Sequence, residues 1–463
     1  MNDSNFQIEQ QCPQCGAPII LDEADRILSC KFCRTRVYLA TNDHFRFYIP
    51  PAKGISETVY FIPYWRLKGL SYVIKANDIS YKYFDANFLS FDSLQLPHSL
   101  GLRPQAMKLN FVGNADNVGK FIVSSHKTKE NILKNYKTQA CALREVFIGE
   151  TASVIYTPVY CSNGRIYDAV LKKPLDVQAK ETELEEAFMA APDEKWHVDF
   201  LPLLCPDCGA DLPGEKNALI LFCDNCHCAW DPSHKNFTKV KLSMWRGEGE
   251  NIHYIPFWQL KVKVEGMQLE TYADLIKVAN LPKAPSAIWQ KTPLYFWAPA
   301  FKLNPALFLR LCKQLTVTPP PKDLIADFPA KNIYPVTLPL NEALESFPVT
   351  LSSLMGNKTN IVNAEPSSSF TLEDLPLDPL PFKISTREIT KEMLGISLKS
   401  SLVIPNNINP DRKNIADLIS ALTFTLEDAS LVLHPFKISA REMIHTKMGF
   451  SLDISALTMG AYL

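Results

Sequence analysis

Eight of the twelve cysteines fall into two quartets, Cys12, Cys15, Cys30, Cys33 and Cys205, Cys208, Cys223, Cys226. Each quartet reads C-x2-C, fourteen residues, C-x2-C, and the second repeats the first 193 residues later. This spacing constrains the chain strongly. Two short loops, each aiming two sulfurs the same way, must be folded onto one another by the segment between them. The same offset carries ETVYFIPYWRLKG at 57–69 onto ENIHYIPFWQLKV at 250–262 without a gap. Pro63 then meets Pro256, Trp65 meets Trp258, Leu67 meets Leu260 and Lys68 meets Lys261. The chain reads as two copies of one design, a cysteine ribbon followed by a β module.

A quartet of this kind is the ligand set of a closed tetrahedral metal site. Zn2+ suits four thiolates and needs no redox partner, so two structural zinc ions per chain are expected; iron takes the same sulfur set and is the alternative. Disulfides or redox dithiols are the competing reading. They suit an oxidising compartment, and a dithiol has no need of a second pair at fixed spacing. His227 and Cys228, directly after the second quartet in CDNCHC, are alternative ligands, whereas the first quartet has Arg34 and Thr35 there. Cys141, Cys161 and Cys312 sit in apolar or strand-like surroundings and are expected as small buried hydrophobes.

The CPQCG and CPDCG segments at 12–16 and 205–209 resemble the knuckles of zinc ribbons and rubredoxins. In such knuckles proline stiffens the turn and glycine permits its backbone geometry. The second knuckles, CKFCR and CDNCH, lack that glycine, which points to structural zinc rather than rubredoxin-like electron transfer. Over its full length the chain resembles uncharacterised bacterial proteins with a zinc ribbon followed by an IP[FY]W strand motif, a resemblance that implies no activity.

Strand signatures recur with one proline beside apolar or aromatic residues. FIGETASVIYTPVY at 147–160 matches FTLEDASLVLHPF at 424–436 at an offset of 277, and FTLEDLPLDPLPF at 370–382 matches the latter at 54. TPLYFWAPAFKL at 292–303 and LPHSLGLRPQAMKL at 96–109 are looser relatives. A proline removes one ladder donor, so such strands are expected at edges or bulges, bending at the proline. Asn163-Gly164 marks a hairpin turn. Helices are expected at about 126–146 and 178–190, from Asn304-Pro305 to Leu315, over 340–347, and from Asn409-Pro410 to about Ala421.

The expected class is α+β and β-rich, with tandem four-cysteine zinc ribbons, each followed by a proline-bent antiparallel sheet or small barrel and a few helices. The boundaries are ribbon 1 at 1–45, β module 1 at 46–177, a bridging helix at 178–200, ribbon 2 at 201–240 and β module 2 at 241–350. A linker at 351–369 and a C-terminal pair of β repeats at 370–463 follow.

No phosphate-loop, dinucleotide, metalloprotease or nucleophile-elbow motif occurs, and the nine histidines are scattered, so a non-enzymatic protein is expected. The start MNDSNFQIEQQC has no basic segment followed by an apolar run, and no stretch nears eighteen uninterrupted apolar residues. Neither a signal peptide nor a membrane span is expected, and the expected location is cytoplasmic. The net charge of -1 disfavours a general polyanion binder, leaving another protein as the expected partner. Nucleic acid is the alternative partner, through the basic patches FCRTRVY at 32–38 and HKTKENILKNYK at 126–137, or through Trp65 with Lys68 and Trp258 with Lys261.

Overall fold

The computed structural model describes residues 6–455 except 42, 76–77, 91–95, 102, 115–117, 123–141, 176–180, 190–195, 234, 250, 284–285, 322, 327–331, 356–418 and 440. The strands of the first part are β1 (Gln7–Gln11), β2 (Pro18–Asp22), β3 (Ile27–Ser29), β4 (Arg36–Ala40), β5 (Phe45–Tyr48), β6 (Val59–Ile74), β7 (Ile79–Leu89), β8 (Lys108–Phe111), β9 (Lys120–Phe121), β10 (Arg144–Ser162), β11 (Arg165–Asp168) and β12 (Lys173–Pro174). Those of the second are β13 (Asp199–Pro202), β14 (Leu221–Phe222), β15 (Ala229–Asp231), β16 (Thr238–Val240), β17 (Leu242–Trp245), β18 (Ile252–Val264), β19 (Phe296–Pro299), β20 (Leu324–Ile325), β21 (Phe424–Ile438), β22 (Glu442–His445) and β23 (Ser451–Asp453). The fold is α+β and strand-rich, with curled half-barrel sheets and a few helices. Among the described residues it holds a ten-stranded sheet around β6 and β10, a seven-stranded sheet around β18 and β21, and two three-stranded sheets near the cysteines.

The long antiparallel ladders β6–β10 and β18–β21 have the same register. Phe61 opposes Pro158 where Tyr254 opposes Pro435, and Lys68 opposes Thr151 where Lys261 opposes Asp428. Both ladders skip one residue at the same place, 150 in β10 and Glu427 in β21. These bulges lie well away from the prolines.

The prolines do not lie in edge strands. Pro63, Pro158, Pro256 and Pro435 all lie within the long central strands. Each carbonyl accepts a hydrogen bond from the side away from the long partner strand: Ser90 N to Pro63 O, Ala169 N to Pro158 O, Ala300 N to Pro256 O and Thr446 N to Pro435 O. In a strand a residue's N–H and C=O point the same way, so each missing donor also faces outward. There the outer neighbour changes, from β9 to β7 beside Pro63, from β5 to β11 beside Pro158, and from β17 to β22 beside Pro435. Beside Pro256 it changes from a bridge at Ile333 to β19. No donor is lost from the central ladders, which explains why proline is tolerated in them.

The helices are α1 (Glu181–Met189), α2 (Tyr272–Val278), α3 (Pro305–Thr316), α4 (Leu340–Glu345) and α5 (Phe347–Met355). Asn304 caps α3 as expected, its side chain accepting from Ala306 N. The hairpin turn also forms, with Asn163 and Gly164 at positive φ between β10 and β11. Other expectations change. The 126–146 stretch lies outside the described residues up to 141, and Arg144–Val146 open strand β10 instead of closing a helix. The bridging segment is helical only to Met189 among its described residues, and Asp199 already belongs to β13, which pairs with β4. Residues 351–355, placed in the linker, finish helix α5; the rest of the linker, the 370–382 repeat and 409–418 lie outside the described residues. Within 96–109 a 3-10 turn at Arg103–Ala106 leads into β8, so this segment is not a proline-bearing long strand.

The two sheets abut. Tyr72, Ile74, Val146 and Ile148, from the distal ends of β6 and β10, share one core with β18, β19, β21 and α2–α5. Glu342 of α4 accepts from Gly149 N at 2.6 Å beside the β10 bulge, and Tyr72 donates its hydroxyl to Pro305 O at 2.8 Å. Among the described residues no helix is long and apolar enough to cross a membrane.

Candidate metal centres

Each C-x2-C segment forms the turn of a short hairpin: β1–β2, β3–β4, the Leu204–Asp211 bridge, and β14–β15. All four turns close identically. The residue after the second cysteine donates its N–H to the first cysteine's carbonyl, as in Gly16 to Cys12, Arg34 to Cys30, Gly209 to Cys205 and His227 to Cys223. The first cysteine donates in turn to the carbonyl of the residue that follows: Ala17, Thr35, Ala210 and Cys228. The turn requires left-handed backbone at the residue after the second cysteine, and φ is 72° at Gly16 and Gly209, 63° at Arg34 and 58° at His227. Arg34 and His227 therefore adopt the glycine conformation at a cost of about 1–2 kcal/mol each. The missing glycines do not alter the knuckle, and so do not separate zinc from iron.

In each quartet the four sulfurs lie within 4.8 Å of one another. Cys12 and Cys33 are 3.6 Å apart, Cys15 and Cys30 3.7 Å, Cys205 and Cys226 3.4 Å, and Cys208 and Cys223 3.5 Å. A tetrahedron with metal–sulfur bonds of about 2.3 Å has an edge of about 3.8 Å. The clusters can thus each coordinate one Zn2+ ion with little movement. The Thr35 hydroxyl, followed by the Thr35 backbone, holds the Cys33 thiol down to about 6, and the Asn225 side chain does the same for Cys208. Both contacts favour the thiolate that a metal needs.

The two cysteine-bearing units pack on each other. Ile27, Tyr38 and Ala40 of the first share a buried core with Leu203, Leu212, Leu221 and Trp230 of the second. Strand β13 pairs with β4, and Arg26 and Ile27 both donate backbone N–H groups to Lys216 O. Gly214 sits in this seam, where an added Cβ would lie 2.8 Å from Leu221 Cδ2 and 3.0 Å from Ile27 Cδ1.

The alternative ligands are placed differently. His227 holds the turn. Cys228 lies beside the second quartet, its sulfur 3.6 Å from Asp207 Oδ2, and forms with Asp207 and Cys226 a further group of potential ligands. Cys161 and Cys312 are buried, as expected, and Cys141 lies outside the described residues. Trp65 and Trp258 are core residues and offer no stacking face; Trp258 donates its indole N–H to Leu338 O at 2.9 Å. Lys68 is buried too, and Lys261 pairs with Glu427 at 3.0 Å. Of the basic patches, 126–137 lies outside the described residues. In the other, Phe32 is 75% exposed on a knuckle between Lys31 and Arg34.

Two buried clusters have no signal in local spacing. Arg66, 1% exposed, reaches Asp85 and lies 3.5 Å from Glu23, which accepts from Thr151 Oγ1 at 3.0 Å. The second is a histidine pair, which corrects the reading of the histidines as scattered: His434 Nδ1 is 3.0 Å from His445 Nε2, inside rings of Trp245, Phe257, Trp297 and Phe436. Their positions on neighbouring strands of one hairpin were the only available clue.

Comparison with known proteins finds no matching family model, no similar curated protein and no similar solved structure.

Proposed function

We propose that the protein is a non-enzymatic zinc-binding scaffold that engages another protein, with one structural Zn2+ held by Cys12, Cys15, Cys30 and Cys33 and a second by Cys205, Cys208, Cys223 and Cys226. The observation that carries this reading is the tetrahedral spacing of both quartets in ribbons that share one core. Four protein thiolates leave no open coordination position, so such ions stabilise and do not activate a substrate. Structural zinc contributes on the order of 10 kcal/mol to folding of a ribbon-sized unit. We read the matching ladders as a duplicated module, with ribbon 1 followed by the first sheet and ribbon 2 by the second, which β21–β23 complete. A cytoplasmic location accords with thiolate clusters that must stay reduced. Among the described residues strand β7 pairs only with β6, and its exposed Tyr81 and Tyr83 present an edge of the kind that accepts a protein partner.

Nucleic-acid binding is the second reading, favoured by the exposed Phe32 between Lys31 and Arg34. The experiment is elemental analysis followed by titration with fluorescent single-stranded RNA and DNA. Two zinc ions per chain, colourless protein and no nucleic-acid binding support the scaffold. Iron and a red colour would replace it with electron transfer. Salt-sensitive binding abolished in Phe32→Ala would replace it with the second reading.

A further inference from the structure

We infer a third, weaker cation site on the second ribbon, sharing the sulfur of Cys226 with the zinc centre. This rests on the reading of the quartets as zinc centres. Its new ligands are Cys228 and Asp207, which with Cys226 place three donor atoms within 4.8 Å of one another. The Cys228 sulfur and Asp207 Oδ2 are 3.6 Å apart. With bonds of about 2.3 Å to sulfur and about 2.1 Å to oxygen, two ligands of one tetrahedral ion stand about 3.6 Å apart. A thiolate can bridge two such ions, and Cys226 is the sulfur common to both groups.

The site already holds a cation. Lys239 Nζ donates to Asp207 Oδ2 at 2.8 Å. Lys239 is a half-exposed side chain on β16 that can swing away, so it acts as a removable counter-ion competing with a metal for the carboxylate. The first ribbon is an internal control. Gln14, Thr35 and Arg46 stand at the positions of Asp207, Cys228 and Lys239, and they offer neither the carboxylate nor the fifth sulfur. The donor set of sulfur and one carboxylate oxygen selects a borderline-soft divalent ion, Zn2+ or Cd2+.

The test is equilibrium dialysis of the full chain against Cd2+ under a non-thiol reductant, with cadmium–thiolate absorbance recorded. The wild type should take up three ions, the third adding the absorbance of one new thiolate. Cys228→Ser and Asp207→Asn should stop at two, which also shows that they fold. Lys239→Gln should fill the third site at lower Cd2+ than wild type. A wild type that stops at two, a third ion without new thiolate absorbance, or a third ion that persists in Cys228→Ser overturns the site. Fewer than two ions in every variant would instead overturn the quartet reading itself.

Discussion

The histidine pair makes the second sheet sensitive to acid. His445 Nδ1 accepts from the backbone N–H groups of Lys447 and Met448, both at 3.2 Å. The His445 proton is therefore on Nε2, donated to His434 Nδ1, and the His434 proton is on its own Nε2, which has no hydrogen-bond partner among the described residues. Each imidazole is neutral, and a further proton would be a buried charge among rings. Burial pushes His445 down to about 3, and burial, with His445 second, pushes His434 well below its ordinary range.

A histidine in the unfolded chain titrates near 6.5, so below that pH the unfolded state binds a proton that the native state refuses. The native pair thus contributes full stability above about 6.5 and loses it as pH falls toward about 3. Each pH unit in that window costs about 1.4 kcal/mol per histidine, so moving from pH 7.5 to 4.5 costs about 2.7 kcal/mol for His445, and His434 adds to the loss in the same direction. Total stability of a domain is about 5–15 kcal/mol. Urea unfolding at both pH values, followed by tryptophan fluorescence, measures the loss; Trp245 and Trp297 touch His434 and report on the site. His434→Phe should remove the His434 share of that loss, and the difference from wild type cancels carboxylates and cysteines that titrate in both. An unchanged pH dependence in that variant, or a histidine C–H resonance of His434 or His445 titrating near 6.5 in the native protein, would refute the reasoning.

Two further outcomes follow from the ribbons and the first sheet. Arg34→Gly should leave zinc content unchanged and raise ribbon stability by about 0.5–1 kcal/mol in thermal unfolding, because φ of 63° no longer opposes a Cβ. Arg66→Met should cost about 3–5 kcal/mol in urea by leaving Glu23 buried without its cation, and adding Glu23→Gln should recover most of that loss.

The cysteine clusters were legible because their spacing is a local property. The offset of 193 identified both quartets, and the offset of 277 identified strands that do occupy the same ladder positions. Beyond the two buried clusters, three features were not legible, each for a physical reason. A proline's effect depends on which edge of the strand its nitrogen faces, and that follows from the neighbours, which for β10 lie about a hundred residues away in β5 and β6. Arg34 and His227 take a glycine conformation because the closed turn outweighs their intrinsic preference. The seam between the ribbons depends on β13 reaching back to β4, a pairing that no periodicity in either segment announces.

The matching ladders also show where the two sheets part company. Thr157 and Asp168 of the first occupy the register of His434 and His445 in the second, since Val159 opposes Asp168 as Phe436 opposes His445. In the first sheet Arg103 bridges the two, donating to Thr157 Oγ1 at 3.4 Å and pairing with Asp168. One backbone site thus holds a permanently charged guanidinium with its carboxylate, and its counterpart holds two neutral rings. A guanidinium gains no proton between pH 7 and 4, whereas each ring in the unfolded chain does. Acid should therefore loosen the β21–β22 hairpin before β10–β11. Hydrogen exchange at pH 4.5 should show protection falling first at Phe436–Ile438 while Val159–Ser162 hold. Simultaneous loss in both hairpins would mean that acid acts through the cysteine quartets or the carboxylates instead of the histidine pair.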